Sequence, residues 1–481
     1  MANLLQKSLD KYQNMSVPVK AALWFTVCNF LQRGVSMITT PMFTRVLSTE
    51  EYGLYSTYLS WENVLLMVVS LCLYKALMNL YNKHDDKEAV LVSVIGLEIL
   101  LSLVWLVIAV VFEKPIAALL GLSPVLVICM FVYFVFQSGI QCWSLYKRYV
   151  FDYRMLVAAT LTMTIGSALA GVFAVLNISA TAEARAVSHV AVVALVGICV
   201  YITVFKNKRR IYQKDVWKFS VTFCVVLMPH YLSEFVLQSS DKIMINYMCG
   251  THDVAIYSVS YAAGSLINLI TNAVNSTFAP YQYQKIKSGE YELLAKRANQ
   301  VLGFVAVMLC GVMLFSREIV LFFGGHKYIE SVSVIIPICI GVYFNYMFQL
   351  FARVQEYFER KVTVVLSSIL CALLNLVLNY IFIKLVGYQA AAYTTFACYL
   401  IFCVIHYFFY RRACRELLDG VQLYNAKGLL IVSIVVIVAG AIIAIINQYL
   451  IVKYTLIIVL CFVTSLKKKE VATFLKKIME R

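Results

Sequence analysis

Fourteen mostly apolar segments recur along the 481-residue chain, and each is close to the roughly 20 residues that a bilayer-spanning helix needs. They lie at 21–41, 54–81, 90–112, 122–146, 155–176, 186–205, 219–240, 254–281, 301–323, 331–352, 362–383, 386–410, 428–447 and 449–466. The chain is 62% hydrophobic and 14% charged, whereas soluble domains are about 45–50% apolar. The sequence therefore predicts an all-α integral membrane protein with fourteen transmembrane helices, and it excludes a soluble domain or a disulfide-stapled secreted fold.

The basic residues of the connecting loops predict the orientation of the chain. If the N-terminus is cytoplasmic, the cytoplasmic loops hold 31 Lys and Arg residues and the opposite loops hold six. Cytoplasmic loops of membrane proteins carry such an excess, and a single missed span would invert the alternation. We expect a multi-pass cell-membrane protein with both termini cytoplasmic. The net charge of +16 is then explained by orientation and by anionic membrane lipids, without a nucleic-acid partner.

An internal repeat divides the predicted helices into two halves. A shift of 202 residues places 42–56 on 244–258, with four identical residues, and both stretches open a long span after an outer loop. The repeat predicts an N-terminal lobe at 1–205, a C-terminal lobe at 206–410, and two further helices with a basic cytoplasmic tail at 411–481. Repeats in parallel orientation place substrate sites between the halves, near the bilayer midplane.

Charged residues within the spans are functional candidates, because an unpaired charge in lipid is costly. Three lie near span ends, where long side chains reach the membrane interface: Arg317, Glu318 and Lys453. Lys75 lies six residues from a span end, so its side chain is equally expected to reach the membrane interface or to line a cavity. Four lie deeper and must face protein or water: Arg33, Glu62, Glu98 and Glu234.

Arg33 and Glu234 form the most informative pair. The 202-residue shift places Arg33 one position from Glu234, so both lie at similar depth in the first helix of each half. One hypothesis is that they flank the central cavity, with Arg33 on an anionic group and Glu234 tuning or closing the site. The alternative is a static structural ion pair.

Polar residues at helical spacing mark further cavity walls. Asn29, Arg33 and Ser36 share a face of the first span, and His230 precedes Glu234 by one turn in the seventh. The eighth span carries a longer polar face, formed by Tyr261, Asn268, Asn272 and Asn275. We expect a wetted, sugar-compatible wall there. Polar side chains also join helices within membranes, and this alternative stays open, most of all for Asn375 and Asn379.

Motifs for catalysis and cofactor binding are absent from the sequence. No P-loop, zinc-protease motif or nucleophile elbow occurs, and the 14 cysteines lie mostly within apolar runs, where buried thiols act as small hydrophobes. We therefore expect a protein that is not an enzyme, without cofactor or metal.

Four segments resemble a known family: TPMFTRVLSTEEYGLYSTYLSW at 40–61, PHYLSEFVLQSSDKIMI at 229–245, EIVLFFGGHKY at 318–328 and NLVLNYIFIKLVGYQAAAYTT at 375–395. Together they resemble the bacterial polysaccharide exporters, the oligosaccharide flippases of the multidrug/oligosaccharidyl-lipid/polysaccharide (MOP) superfamily. Gln389 and Ala390 stand where the family often has a second glycine, which is a small departure.

The resemblance implies a MATE-like V shape of two pseudo-symmetric six-helix lobes around a central cavity, plus two C-terminal helices. It also implies that an undecaprenyl-pyrophosphate-linked oligosaccharide, a repeat unit of exopolysaccharide, capsule or O-antigen, moves from the inner to the outer leaflet of the bacterial cell membrane by alternating access. A polysaccharide polymerase and glycosyltransferases of the same pathway are its expected partners, beside the lipid-linked substrate and membrane lipids.

The same substrate chemistry assigns roles to the polar residues. A diphosphate needs a cavity cation, for which Arg33, Lys75 and Arg353 are candidates, and the glycan needs polar walls. Glu62 completes the predicted cavity set, and Glu234 and Asp241 are candidates for ion coupling. The alternatives are a lipid II flippase, a cation-coupled multidrug exporter of the same fold and a membrane polysaccharide polymerase.

Overall fold

The computed structural model describes residues 15–206 and 210–466, and within these ranges the chain forms α-helices and short 3-10 helices without a β-strand. The predicted basic tail at 467–481 lies outside the described residues. Two compact units divide the chain, the first ending at Ala255 and the second beginning at Ile256. The predicted lobe boundary between residues 205 and 206 stays a prediction.

The described part of the first unit contains nine complete α-helices. They are α1 Val17–Val46, α2 Thr49–Val69, α3 Leu77–Tyr81, α4 Lys87–Val111, α5 Glu113–Leu120, α6 Pro124–Tyr149, α7 Tyr153–Asn177, α8 Ala182–Phe205 and α9 Lys214–Met248. Side-chain caps fix several starts, because a capping oxygen satisfies a free backbone N–H of the first turn. Ser48 accepts from the N–H of Glu51, Ser123 from Leu126 and Asp86 from Ala89.

Five helix pairs form the main packing contacts of the first unit. The pairs α4–α6, α6–α8, α7–α8, α1–α7 and α2–α9 are in contact. Their shared core is rich in aromatic rings, including the fully buried Phe134 and the nearly buried Trp143. Because α9 packs on α2, its polar residues lie in the same compact unit as those of α2.

The predicted span 54–81 is not one straight helix. Helix α2 ends at Val69, a 3-10 turn runs from Leu73 to Ala76, and α3 follows at an angle of 51° to α2. Leu71 and Cys72 adopt positive φ angles of 47° and 56°, a conformation that non-glycine residues rarely enter. Cys224 of α9 supports the break, because its thiol donates to the Cys72 carbonyl at 3.4 Å. A broken helix at this position leaves backbone groups free of helical partners.

The described part of the second unit contains most of α10 Thr251–Ser288 and seven further α-helices. These are α11 Tyr291–Leu314, α12 Ser316–Phe323, α13 Val332–Tyr357, α14 Lys361–Val386, α15 Ala390–Leu417, α16 Ala426–Ile446 and α17 Leu450–Leu466. Helix α13 is central, because it contacts α11, α14, α15 and α16 and is buried along most of its length. Rings of α13 and α15, such as Phe351 and Tyr410 with centroids 5.3 Å apart, form its core.

Buried amides and hydroxyls join α14 to α15. Asn375 donates to Thr395 at 3.1 Å, Asn379 donates to Asn375 at 3.1 Å, and Thr394 donates to Asn379. Both asparagines are fully buried. For Asn375 and Asn379 the structure therefore supports the interhelical role that the sequence left open.

A buried ion pair corrects the expectation for Lys453. The Lys453 side chain is 0% exposed, and its Nζ lies 2.7 Å and 2.9 Å from the two carboxylate oxygens of Glu318. Tyr454 donates to the same carboxylate at 2.7 Å. The prediction that Lys453 reaches the interface was wrong, because a carboxylate within reach lets the ammonium stay buried. The pair links α17 to α12 within the second unit.

Ten helices of the described residues are long and apolar enough to cross a membrane, or eleven if α2 and α3 count as one bent span. The three other predicted spans, 21–41, 254–281 and 449–466, coincide with α1, α10 and α17. The chain is therefore a multi-pass membrane protein, and the count of fourteen spans stays a prediction.

The element order repeats along the chain. Helix α10 begins 202 residues after α2, the short α12 begins 203 residues after the short α5, and α15 begins 208 residues after α8. The growing offset indicates a few inserted residues in the second half. One difference is local, because α10 runs unbroken past the positions that correspond to the break after α2.

Candidate functional site

The break after α2 presents the cation Lys75. Its Nζ lies 4.5 Å from the ring centroid of Tyr231 on α9 and 5.1 Å from that of Tyr74. Aromatic faces hold an ammonium group without cancelling its charge. No carboxylate within 15–206 and 210–466 forms an ion pair with Lys75, so this half-buried cation can meet an anionic ligand.

Glu234 lies on α9 one turn from His230. The His230 Nε2 and the nearest Glu234 carboxylate oxygen are 3.9 Å apart, and Glu234 is 52% exposed. Glu234 also lies within electrostatic range of Tyr74 and Tyr231. The structure thus brings Lys75, His230 and Glu234 together where α9 meets the broken helix.

The predicted pair of Arg33 and Glu234 is not formed as a static ion pair among the described residues. Arg33 is exposed on α1 and has no hydrogen-bonding or ionic partner in the described part of the chain. Asn29 and Ser36 share its exposed face, although the Ser36 hydroxyl donates to the Gln32 carbonyl at 3.1 Å. The α1 face therefore offers one guanidinium and one carboxamide to a ligand.

Asp241 lies seven residues beyond Glu234 on α9, so the two carboxylates are about 10 Å apart along the helix. Asp241 is only 2% exposed, unlike the open Glu234. The two candidates for ion coupling therefore occupy separate environments, and the coupling itself stays a prediction.

Glu62 is buried within the first unit instead of lining an open wall. It is 6% exposed, and its Oε2 has no hydrogen-bond partner among the described residues. Arg185 lies within electrostatic range of Glu62 and stacks over the rings of Phe43 and Tyr55 at 4.5 Å and 5.3 Å. Aromatic packing around α2 closes this carboxyl off, which the sequence pattern did not indicate.

In the second unit, Arg353 lies in an amide network. Its guanidinium donates to Asn275, to Gln282 at 3.4 Å and to Gln349 at 3.5 Å, and the residue is 8% exposed. Gln282 in turn donates to the Tyr424 hydroxyl at 2.6 Å. This placement differs from the predicted open cavity wall, because carboxamide oxygens already satisfy both terminal nitrogens of the arginine.

The polar face of α10 is only partly engaged. Asn275 belongs to the Arg353 network, whereas Asn272 is exposed and Asn268 is half-buried. The Tyr261 ring stacks on Tyr257 with a centroid distance of 6.3 Å. Asn268 and Asn272 are thus the members of this face that remain open to a ligand.

Sequence reasoning missed three residues that shape these clusters: Tyr231, Gln282 and Gln349. Gln349 precedes Arg353 by four residues and Gln282 follows Asn275 by seven, so helical spacing could have found both. No sequence signal links Tyr231 to Lys75, because the contact depends on how α9 packs against the break. No group of three His, Cys, Asp or Glu side chains in the described ranges is placed to hold a metal ion.

Comparison with solved structures shows the fold. The lipid II flippase MurJ in an inward closed conformation superposes with a TM-score of 0.64 and 14% identity, covering 90% of this chain and 100% of MurJ. An inward-facing multidrug resistance MATE transporter of the MOP superfamily gives a TM-score of 0.61 at 9% identity, covering 82% and 96% of the two chains. A MATE transporter of Vibrio cholerae gives 0.56 at 11% identity, covering 85% and 100%.

Comparison with protein families shows the relationship by sequence. The family described as "Polysaccharide biosynthesis protein" matches residues 19–285, which is more than half of the 481 residues. None of the curated proteins matches the chain significantly. With the fold of MOP-superfamily transporters and this match across α1–α10, the chain belongs to the polysaccharide biosynthesis protein family.

Proposed function

We propose that this protein is a flippase that moves a lipid-linked oligosaccharide, carried on undecaprenyl pyrophosphate, from the inner to the outer leaflet of a bacterial cell membrane. One observation carries the proposal: a chain of the polysaccharide biosynthesis family folds as the helical bundle of MurJ and the MATE transporters. Such a bundle moves molecules across the bilayer and performs no bond chemistry, so the proposal excludes an enzymatic role.

The first unit supplies cations suited to the diphosphate. Arg33 is exposed without a partner among the described residues, and Lys75 is held by aromatic faces that leave its charge intact. Hydrogen bonds from charged donors to phosphate oxygens are the strong class of such bonds. These two residues support an anionic head group as cargo in preference to a cationic drug.

Polar side chains of the same unit suit the glycan. His230 and Glu234 lie beside the break, and Asn29 and Ser36 share the exposed face of α1. Hydroxyl groups of a sugar both donate and accept, so they pair with carboxamide and carboxylate side chains. The lipid tail stays in the bilayer while the head group crosses by alternating access, and the polymerase and glycosyltransferases of the pathway are the expected partners.

Competition in proteoliposomes tests the proposal. The purified protein is reconstituted with a fluorescent undecaprenyl-pyrophosphate oligosaccharide, and the far-leaflet fraction is followed by dithionite quenching. We expect unlabelled lipid-linked oligosaccharide to slow translocation of the probe, while a cationic drug does not. Stronger competition by lipid II would favour a lipid II flippase, and competition by the drug alone would refute the proposal.

A further inference from the structure

A polar cavity lies within the first unit, between α1, α6 and α7. Its volume is about 170 Å³. Helix α6 contributes Gln137, Gln141, Ser144 and Arg148, and α1 contributes Asn29 and Gln32. We name these six residues the amide groove.

The spacing of the α6 residues makes the groove long and continuous. Gln137, Gln141, Ser144 and Arg148 follow one another at steps of four, three and four residues, so they share one helix face. Eleven residues of helix span about 16 Å. The groove therefore runs from the basic loop at 147–154, which we predict is cytoplasmic, well into the depth of the membrane.

The four carboxamides of the groove have no hydrogen-bond partner in the part of the chain that the structure describes. In the ranges 15–206 and 210–466, no hydrogen bond is made by the side chain of Asn29, Gln32, Gln137 or Gln141, and the Gln141 Oε1 is shielded from solvent as well. Burying an amide without a hydrogen bond is costly. Asn375 and Asn379 are fully buried and hydrogen-bonded across helices, whereas Asn29 is exposed and the three glutamines of the groove are half-buried. The groove amides are therefore not paired as these interhelical amides are.

An uncompensated cation lies at the basic-loop end of the groove. Lys147 forms an ion pair with Asp152 at 2.6 Å, whereas its neighbour Arg148 has no carboxylate partner among the described residues. The Arg148 guanidinium stays exposed, with its Cζ 5.6 Å from the Phe25 ring centroid. An exposed guanidinium without a carboxylate partner in the described residues is suited to bidentate hydrogen bonding with phosphate oxygens.

Four open carboxamides beside a free guanidinium match a hydroxylated ring attached to a phosphate. Each carboxamide offers both an acceptor and two donors, as sugar hydroxyl groups require. We propose that the amide groove is a loading site that binds the phosphate-proximal sugar of a lipid-linked sugar, with Arg148 on the phosphate and the carboxamides on the sugar. The proposal rests on the proposed function and adds a recognition site that precedes the transport step.

Binding of two matched probes tests the groove. The full-length protein in phosphatidylethanolamine nanodiscs is titrated with farnesyl diphosphate carrying one N-acetylglucosamine, and with farnesyl diphosphate alone. The ratio of the two Kd values defines the sugar preference. We expect Q137L/Q141L to reduce this preference about tenfold, since each lost hydrogen bond weakens binding by roughly 3- to 10-fold. R148A should weaken both probes equally and leave the preference unchanged, and Q448L, at an exposed amide outside the groove, should change neither.

Stability separates a binding role from a structural one. Because the Gln141 carbonyl has no described partner, replacing it by leucine removes an unsatisfied polar group, which is neutral or favourable for folding. We expect the Tm of Q141L to match or exceed that of the wild type. A lowered Tm would mark Gln141 as structural and overturn its assignment, and Q137L alone then still reports on the sugar preference.

Three results would overturn the proposal. The first is a wild-type sugar preference that Q137L/Q141L retains. The second is displacement of the glycosylated probe by equal concentrations of dioleoylphosphatidylglycerol, which would identify an ordinary phospholipid site. The third is a wild-type protein that translocates lipid-linked glycans yet shows no sugar preference, in which case the groove assignment fails while the proposed function stands.

Discussion

Removing Glu318 should destabilise the second unit more than removing its partner Lys453. The Lys453 ammonium is 0% exposed, and Glu318 is 31% exposed. E318Q leaves a buried ammonium without a counter-charge, and breaking a buried pair in this way costs about 3–5 kcal/mol. The partial exposure of Glu318 places the expected loss near the lower end, at about 3 kcal/mol.

K453M has a different consequence. The Glu318 carboxylate keeps its hydrogen bond from Tyr454 at 2.7 Å and retains access to water, so we expect a loss of about 1 kcal/mol. The double variant K453M/E318Q leaves neither charge unpaired and should lie within about 1 kcal/mol of the wild type, because neutral replacement of a buried pair is often tolerated.

Thermal unfolding in detergent, followed by labelling of newly exposed cysteines, measures these differences. About 2 °C of Tm corresponds to 1 kcal/mol for a unit of this size, so E318Q should lower the Tm by about 6 °C and K453M by about 2 °C. R412A, which breaks the exposed pair of Arg412 and Glu416, is the matched control and should not shift the Tm measurably. Equal Tm values for E318Q and K453M would refute the argument from burial.

Three further variants test the helix packing at Gly53 and the roles of Lys75 and Arg353. G53A should lower the Tm by several degrees, because a Cβ at Gly53 would lie 1.8 Å from the backbone oxygen of Thr251 at the start of α10 and overpacking costs about 1–3 kcal/mol. The control G34A has open space around it and should not lower the Tm. Equal Tm values for the two variants would contradict the close packing at Gly53. K75M should slow translocation of the lipid-linked oligosaccharide at least about tenfold, as expected for the loss of a charge-assisted contact with phosphate. The control K83M, near the same membrane face, should not slow it. Unchanged translocation in K75M would show that Lys75 does not contact the substrate. R353Q should lower the Tm because it breaks the buried amide network. A wild-type Tm together with abolished transport would instead indicate that Arg353 binds the substrate.

The helical segments could be predicted from apolar length alone. Thirteen of the fourteen predicted spans overlap one long helix each, and the span 54–81 overlaps the bent pair α2 and α3, because a run of about 20 apolar residues has few other ways to satisfy its backbone in lipid. The break after α2 could not be predicted, since Ser70, Leu71 and Cys72 include neither glycine nor proline. Its support comes from Cys224 on a helix more than 150 residues away, and local sequence does not carry that contact.

The candidate site was predicted as a set of residues and not as an arrangement. Lys75 contacts Tyr231, which follows His230 and precedes Glu234 by three residues on α9, because α9 packs on the broken helix. Glu62 lies within a predicted apolar span and Arg353 directly after one, yet tertiary partners bury both. Burial depends on which helices become neighbours, whereas periodicity reports only which residues share a face.

The polar face of α6 is predictable from the sequence, whereas the Lys453–Glu318 pair is not. The α6 face with Gln137, Gln141, Ser144 and Arg148 has the same helical spacing as the faces that were recognised on α1 and α10. Its polar residues are visible in the sequence alone. By contrast, the Lys453–Glu318 pair joins residues 135 positions apart, so only the fold identifies it.

The proposed flippase function requires protein-dependent passage of a lipid-linked glycan between leaflets, which can be measured directly. Vesicles that each hold several copies of the protein and a fluorescent undecaprenyl-pyrophosphate oligosaccharide in both leaflets are exposed to dithionite, which bleaches only the outer leaflet. We expect nearly all of the fluorescence to be lost in vesicles that contain the protein, while about half remains in empty vesicles and in vesicles with heat-inactivated protein. Equal residual fluorescence in all three preparations would contradict a flippase function.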